Sequence, residues 1–225
     1  MPEPTLADLL WSAPRAPRRG PRPRIELAGI VAAAVTVADA DGMEAASMQR
    51  VAEALGVTKM ALYRHVPGRA ELVALMVEAA FAPPPTLPAG WRDGLRAWAD
   101  AMRVAATRHP WLAVATAGGR LIGPIEAGWI EAGLGALEGL SLTPAGRLDT
   151  LALVSFHVRG IVAQESTPHP ELTIGTLLLD ALGRRANEYP LTAGAFADAT
   201  AGRATDNAYE FGLERILDGL ERFAG

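Results

Sequence analysis

The sequence predicts an all-α protein in which a small N-terminal helix-turn-helix domain is followed by a larger helical domain. Three observations carry that expectation. Half of the 225 residues are apolar and only 6% are aromatic, with alanine and leucine dominating, a composition that favours helices. Apolar residues recur at the helical spacing in segment after segment, with no persistent alternation of the kind strands need. Glycine and proline interrupt these segments where helices should end.

Residues 1–24 place Pro14, Pro17, Pro21 and Pro23 among Arg15, Arg18, Arg19, Arg22 and Arg24. This segment is expected to be an extended, disordered arm with neither helix nor core. Residues 25–82 form the first folded unit. Leu27, Ile30, Val31, Ala34, Val35 and Ala38 share one face of a helix that stops at Asp41-Gly42. Ser47 caps a short second helix burying Met48, Val51, Ala52 and Leu55, and Gly56 ends it. Thr58 caps a third helix around Leu62, which closes near Val66-Pro67-Gly68. A fourth runs over 69–81 with Leu72, Leu75, Met76 and Ala79 inward. Pro83-Pro84-Pro85, Pro88 and Gly90 make 83–90 a linker.

The second domain is expected over 91–225. Trp91, Leu95, Trp98, Met102 and Ala105 line a helix that ends at His109-Pro110. A short helix over 111–117 is closed by Gly118-Gly119, and another covers about 125–140 with Trp129 and Leu134. Thr143-Pro144 open a long helix to about residue 165, with Leu148, Leu151, Val154, Val158 and Val162 as its apolar face. Pro168 and Pro170 bracket a turn, a helix reaches about Tyr189, and 190–204 reads as a loop. A last helix over 206–223 carries Tyr209, Leu213, Ile216, Leu217, Leu220 and Phe223.

Charge is segregated. The net charge is −4, yet residues 13–24 hold five arginines and no acid, and residues 47–69 hold Arg50, Lys59, Arg64 and Arg69 against Glu53 alone. From residue 82 onward acids exceed bases, 16 to 12. Such an N-terminal bias suits contact with nucleic acid. Cysteine is absent, which excludes disulfides and thiol chemistry and suits the cytoplasm. No apolar run approaches the roughly 18–20 residues of a membrane span, and the N-terminus has no basic region ahead of its apolar patch as a secretory signal would. Neither cofactor nor metal is expected: His65, His109, His157 and His169 are scattered, and Gly118-Gly119-Arg120 and Gly123-Pro124 make no phosphate cradle. Ser155 and His157 fall on different sides of a helix and form no nucleophile–base pair, so an enzyme is not expected.

The densest signal spans 47–66, Ser-Met-Gln-Arg-Val-Ala-Glu-Ala-Leu-Gly-Val-Thr-Lys-Met-Ala-Leu-Tyr-Arg-His-Val. A helix-turn-helix needs a small residue where its helices touch (Ala52) and one that tolerates positive φ in the turn (Gly56). Val57 and Leu62 supply core contacts, and Thr58 starts the helix whose first residues enter the major groove. This stretch, with Arg69 opening the next helix, resembles the TetR/AcrR-like family of bacterial regulators over about 25–81. His-Pro-Trp-Leu (109–112), Gly-Pro (123–124) and Val-Ser-Phe-His-Val-Arg-Gly (154–160) resemble tetracycline-repressor-like C-terminal domains. The resemblance implies that Tyr63, His65 and Arg69 meet phosphates while Gln49, Lys59, Met60, Ala61 and Arg64 face base edges, with Ser47 and Thr58 at the helix starts. Chemistry agrees for some: Lys59 can donate to guanine, Gln49 can pair with adenine, and Met60 or Ala61 can touch a thymine methyl. Packing against the fourth helix is the alternative for Tyr63 and His65. The arginines at 18–24 have two readings as well, a minor-groove arm or a solvated tail.

The resemblance also implies a ligand cavity in the second domain. Trp98, Met102, Trp111, Trp129, Phe156 and His157 are candidate lining groups, with His157, Arg159 and Gln164 able to orient a polar group of a mostly apolar ligand; the aromatic groups can equally be plain core, and Arg159 can equally bridge to an acid across the dimer. Two-fold operators call for a homodimer, expected through the helices at 144–165 and 206–223 along the Leu213, Ile216, Leu220 and Phe223 edge. The function these features imply is a repressor released from a palindromic DNA operator by a small molecule. A DNA-binding architectural protein without a ligand is the alternative.

Overall fold

Caps written in the sequence set the helix starts. A computed structural model describes residues 5–11, 25–117, 119–166, 182, 185–200 and 208–224. Its helices are α1 (Leu6–Trp11), α2 (Leu27–Asp41), α3 (Met48–Ala54), α4 (Lys59–Tyr63), α5 (Arg69–Phe81), α6 (Trp91–Arg108), α7 (Leu112–Ala115), α8 (Pro124–Ala136), α9 (Pro144–Glu165), α10 (Pro190–Thr200) and α11 (Ala208–Glu221). Ser47 Oγ accepts the Arg50 N–H at 3.2 Å, and Thr143 Oγ1 accepts that of Gly146 at 3.1 Å ahead of Pro144. Gly42 closes α2 at φ 84°, and Gly56 turns between α3 and α4 at φ 63°. Among the described residues the only extended pairing is an isolated bridge between Leu140 and Ala224.

Two expectations about which segments are helical need correction. Residues 1–24 were to hold no helix, yet α1 occupies their proline-free stretch. Thr5 and Asp8 cap it reciprocally: Thr5 Oγ1 accepts the Asp8 N–H (3.2 Å) while an Asp8 carboxylate oxygen accepts the Thr5 N–H (3.0 Å). Leu10 is buried, α1 packs on α5, and the Trp11 indole donates to the Ile122 carbonyl at 3.1 Å. The arginines at 15–24 lie outside the described residues, as do His169 and the turn near Pro168. The loop expected over 190–204 is the second correction, because α10 begins at Pro190, the first helical position that proline favours.

The N-terminal unit packs α2 against α3 and α5, and α3 against α4, over Ile30, Val51, Leu62, Leu72 and Met76, all fully buried. In the larger unit α6 packs on α8 and α9, and α11 on α9. Of the edge expected to face a partner, Leu213 and Leu220 point into this protomer's own core with Leu217, while Ile216 and Phe223 are half-buried against it. A charged seam holds α11 down on its other side: Arg92 pairs with Glu214 and Asp218 at 2.6 Å, and Arg96 with Glu210 at 2.8 Å and with Glu214. The side of α11 left outward carries Phe211, which is 68% exposed.

Besides the Trp11–Ile122 bond, three further links join the two units among the described residues. Asp39 on α2 accepts the Trp111 indole N–H at 2.6 Å and sits 2.8 Å from His109 Nδ1. Ala82, held at φ 55° where a Cβ is disfavoured, accepts the Trp129 indole N–H at 3.1 Å. Glu78 on α5 is buried, and its carboxylate accepts the backbone N–H groups of Ile125 (2.8 Å) and Glu126 (3.1 Å) at the start of α8. Gly123 permits that approach, since a Cβ there would lie 2.3 Å from Glu78 Cδ.

Two tests follow from this packing. Gly123→Ala is expected to cost about 1–3 kcal/mol of stability in the native protein. In the Glu78→Ala background it should cost less than about 0.5 kcal/mol, a coupling read from urea denaturation of the four variants. Leu217→Asp is expected to lose at least about 3 kcal/mol and much of its helical circular dichroism rather than to yield folded monomers.

Candidate nucleic-acid interface and effector cavity

Gly56 lets the chain reverse sharply, and the Val57 N–H then returns to the Ala52 carbonyl at 3.0 Å, locking α4 across α3. Leu62 is the side of α4 turned fully inward. Lys59, Met60, Tyr63 and Arg64, spaced three and four apart, share its exposed side. Met60 is 69% exposed, beside the exposed Lys59, Tyr63 and Arg64. Lys59 Nζ lies 5.9 Å from the Tyr63 ring centroid. Gln49 is exposed on α3 and donates to Glu53 at 2.7 Å.

The remaining candidates differ in how free they are. Thr58 is exposed at the start of α4 with no side-chain cap bond, Ala61 and His65 are half-buried, and Ser47 is engaged in capping α3. Arg69 is exposed but donates to the Met43 carbonyl at 3.2 Å and reaches Glu44 at 3.5 Å. It therefore ties the turn after α2 to α5 as well as offering charge.

A cavity of about 370 Å³ lies within the larger unit. Phe81 of α5 closes its near end; Trp98, Met102 and Ala106 of α6, Trp129 and Ile130 of α8, and Leu148, Leu151 and Ala152 of α9 form its walls. Trp98 and Trp129 meet edge to face at 6.3 Å, and Phe81 lies 5.5 Å from Trp129. The Trp98 N–H donates to the Trp129 carbonyl at 2.9 Å, and that of Trp129 goes to Ala82, so neither indole N–H is left for a ligand. The walls are apolar for that reason.

One corner is charged. The Arg120 guanidinium grips both Glu126 carboxylate oxygens. Arg159 donates to Thr116 Oγ1 at 2.7 Å, while Thr116 donates to the Leu112 carbonyl at 2.7 Å. Burial, then repulsion from Arg120, pushes the Arg159 guanidinium below its ordinary value, with Glu126 acting the other way.

Of the residues expected to line a cavity, Trp98, Met102 and Trp129 do so. Trp111 is buried against Asp39 at the junction with α2, outside the lining. Phe156 is 65% exposed, and His157 turns the other way to stack on Tyr209 with Nε2 2.8 Å from the Tyr209 carbonyl. Gln164 is exposed more than a turn beyond Arg159. The helical period explains these departures: Leu148, Leu151, Ala152, Ser155 and Arg159 share the inner face of α9, and positions 156 and 157 rotate away from it. That spacing was a usable signal for Arg159 and Ser155. Nothing local marked Thr116, Arg120 or Glu126, which reach the cavity from the α7–α8 segment.

Two family models cover most of the chain: that for bacterial regulatory proteins of the tetR family matches residues 30–76, and that for the tetracyclin repressor-like C-terminal domain matches residues 84–223. The chain is 37% identical over 229 residues to the HTH-type transcriptional repressor DrrR1 of Streptomyces coeruleorubidus, spanning 95% of this chain and 84% of that protein. It is 30% identical to an HTH-type transcriptional regulator of Saccharopolyspora erythraea, spanning 96% and 92%. Apo ActR from Streptomyces coelicolor superimposes with a TM-score of 0.74 at 25% identity, spanning 89% and 98%. With its helix-turn-helix, its cavity-bearing helical unit and these matches, the chain belongs to the TetR family of bacterial transcriptional regulators.

Proposed function

We propose that the protein is a homodimeric repressor that grips a palindromic operator through α3 and α4 and leaves it when a small, mostly apolar molecule fills the cavity. The observation that carries this reading is the double role of α5, which walls the cavity with Phe81 and caps α8 with Glu78. A ligand pressing on that end meets the last helix of the DNA-binding unit directly. The relative DrrR1 is a repressor, and ActR has been solved with (S)-DNPA, which supports the sense and the kind of control. In this role the protein catalyses nothing and works in the cytoplasm beside its operator. No described helix is long and apolar enough to cross a membrane.

The division of labour is residues 25–82 for DNA, 83–90 as linker and 91–225 for sensing and dimerisation. Lys59, Met60, Ala61 and Gln49 read base edges. Arg64 faces base edges or their flanks with them, Tyr63, His65 and Arg69 contact or position against phosphates, and Ser47 and Thr58 stand at the helix starts. In the cavity Trp98, Met102 and Trp129 give shape and Arg159 gives polarity. The dimer forms through the outer faces of α9 and α11: Leu153, Phe156 and Phe211 are 52%, 65% and 68% exposed, and Gly160 and Ala163 continue the α9 stripe with side chains small enough for close helix approach.

Two experiments test this reading. In a DNA-binding assay against the region upstream of its own gene, a palindromic segment should bind far more tightly than random DNA at physiological salt. Lys59→Ala should weaken that binding by about 10- to 100-fold. Equal affinity for random DNA would refute the regulator. Phe156→Asp should give folded monomers in sedimentation, with helical circular dichroism retained; an unchanged dimer would remove α9 from the interface.

A further inference from the structure

The charged corner of the cavity holds more cations than anions. Arg120 and Arg159 bring two guanidiniums, and both oxygens of the one carboxylate, Glu126, go to Arg120. Among the described residues the partners of Arg159 are neutral: Thr116 Oγ1 at 2.7 Å, the Thr116 carbonyl at 3.4 Å, the Ser155 carbonyl at 3.2 Å and the Phe156 ring at 5.0 Å. Arg120 Nε is buried without a hydrogen-bond partner. A guanidinium keeps its proton in a protein, so the lining holds two cations against one carboxylate; the buried Glu78 carboxylate behind the start of α8 is taken up by the Ile125 and Glu126 N–H groups, and among the described residues Arg159 has no paired anion beside the apolar walls, where an unmatched charge is costly.

The neutral polar groups nearby are already used. The Ser155 hydroxyl donates to the Leu151 carbonyl at 2.7 Å, Thr116 donates to Leu112 and accepts from Arg159, and both indole N–H groups go to backbone carbonyls. What the cavity still offers a ligand is a cation held in place by Thr116, in a space walled by Trp98 and Trp129. We infer that the cavity selects ring compounds bearing an acidic oxygen group, a carboxylate or an ionised phenol, with Arg159 as the counter-ion and the ring against the tryptophans. Charge-assisted pairing of this kind discriminates strongly against neutral isosteres and repels amines. The inference rests on the effector reading above and names the chemical class of that effector.

The test compares acids with their neutral amides, each pair having the same shape: 2-naphthoate against 2-naphthamide, and anthracene-2-carboxylate against its amide. Calorimetry on the full chain should show at least one acid binding about 10- to 100-fold more tightly than its amide. Arg159→Gln should abolish the preference while leaving the affinity for the amide within about 3-fold, and Arg159→Lys should keep part of it. Thr116→Val keeps the guanidinium but loosens it, and serves where Arg159→Gln does not fold; it should weaken the acid several-fold and spare the amide. Equal affinities within both pairs, or no measurable binding of either acid, overturns the inference, as does an Arg159→Gln variant that still prefers the acid. Operator binding without any ligand is measured separately, so loss of the regulator reading is distinguishable from loss of this one.

Discussion

The Glu78 carboxylate is buried, among the described residues with no cation paired to it, and is held by two backbone N–H groups and the positive end of α8. Withdrawing it from that site without a replacement donor would leave a buried charge and two open amides, each a costly state. The start of α8 and the last turn of α5 are thereby obliged to move as one piece. Glu126 makes the connection tighter, because its main chain is bonded to Glu78 while its side chain holds Arg120 in the cavity. A single residue touches both the DNA-binding unit's last helix and the ligand space.

The other two junctions reinforce this one from different directions. Asp39 ties α2 to the turn between α6 and α7, and the Ala82 carbonyl ties the end of α5 to Trp129. The backbone at Ala82 sits in an unfavourable region, so the Trp129 bond offsets local strain while bracing the cavity wall. Effector coupling of about 1–3 kcal/mol is the usual scale for allosteric proteins, comparable to one or two such bonds. No large rearrangement is required for a response of that size.

Legibility in the sequence followed locality. Gly56, Ser47 and Thr143-Pro144 act on their immediate neighbours, and α3, α4 and α9 start where those residues place them. The exposed side of α4 was legible for the same reason, since one turn of helix fixes which of Lys59, Leu62 and Tyr63 can face inward. Cavity membership was not. Phe156 and His157 are as aromatic as Trp98, and only the rotation of α9 against its neighbours decides that Ser155 and Arg159 face in instead. Arg120 and Glu126 carried no periodic signal, because their position depends on the cap that Glu78 provides from 47 and 48 residues away. α1 was obscured by composition: the surrounding prolines outweighed a short Thr5–Asp8 box.

Lys59 is the only lysine in the chain, and it stands exposed on the helix expected to read the operator. Every other cationic side chain of fixed charge is an arginine, which ordinary amine-directed reagents leave untouched. An acylating dye or crosslinker therefore has one side-chain address in this protein, on α4. The molecule comes with a built-in attachment point for following occupancy of that surface, and with a vulnerability there to any metabolite that acylates lysine.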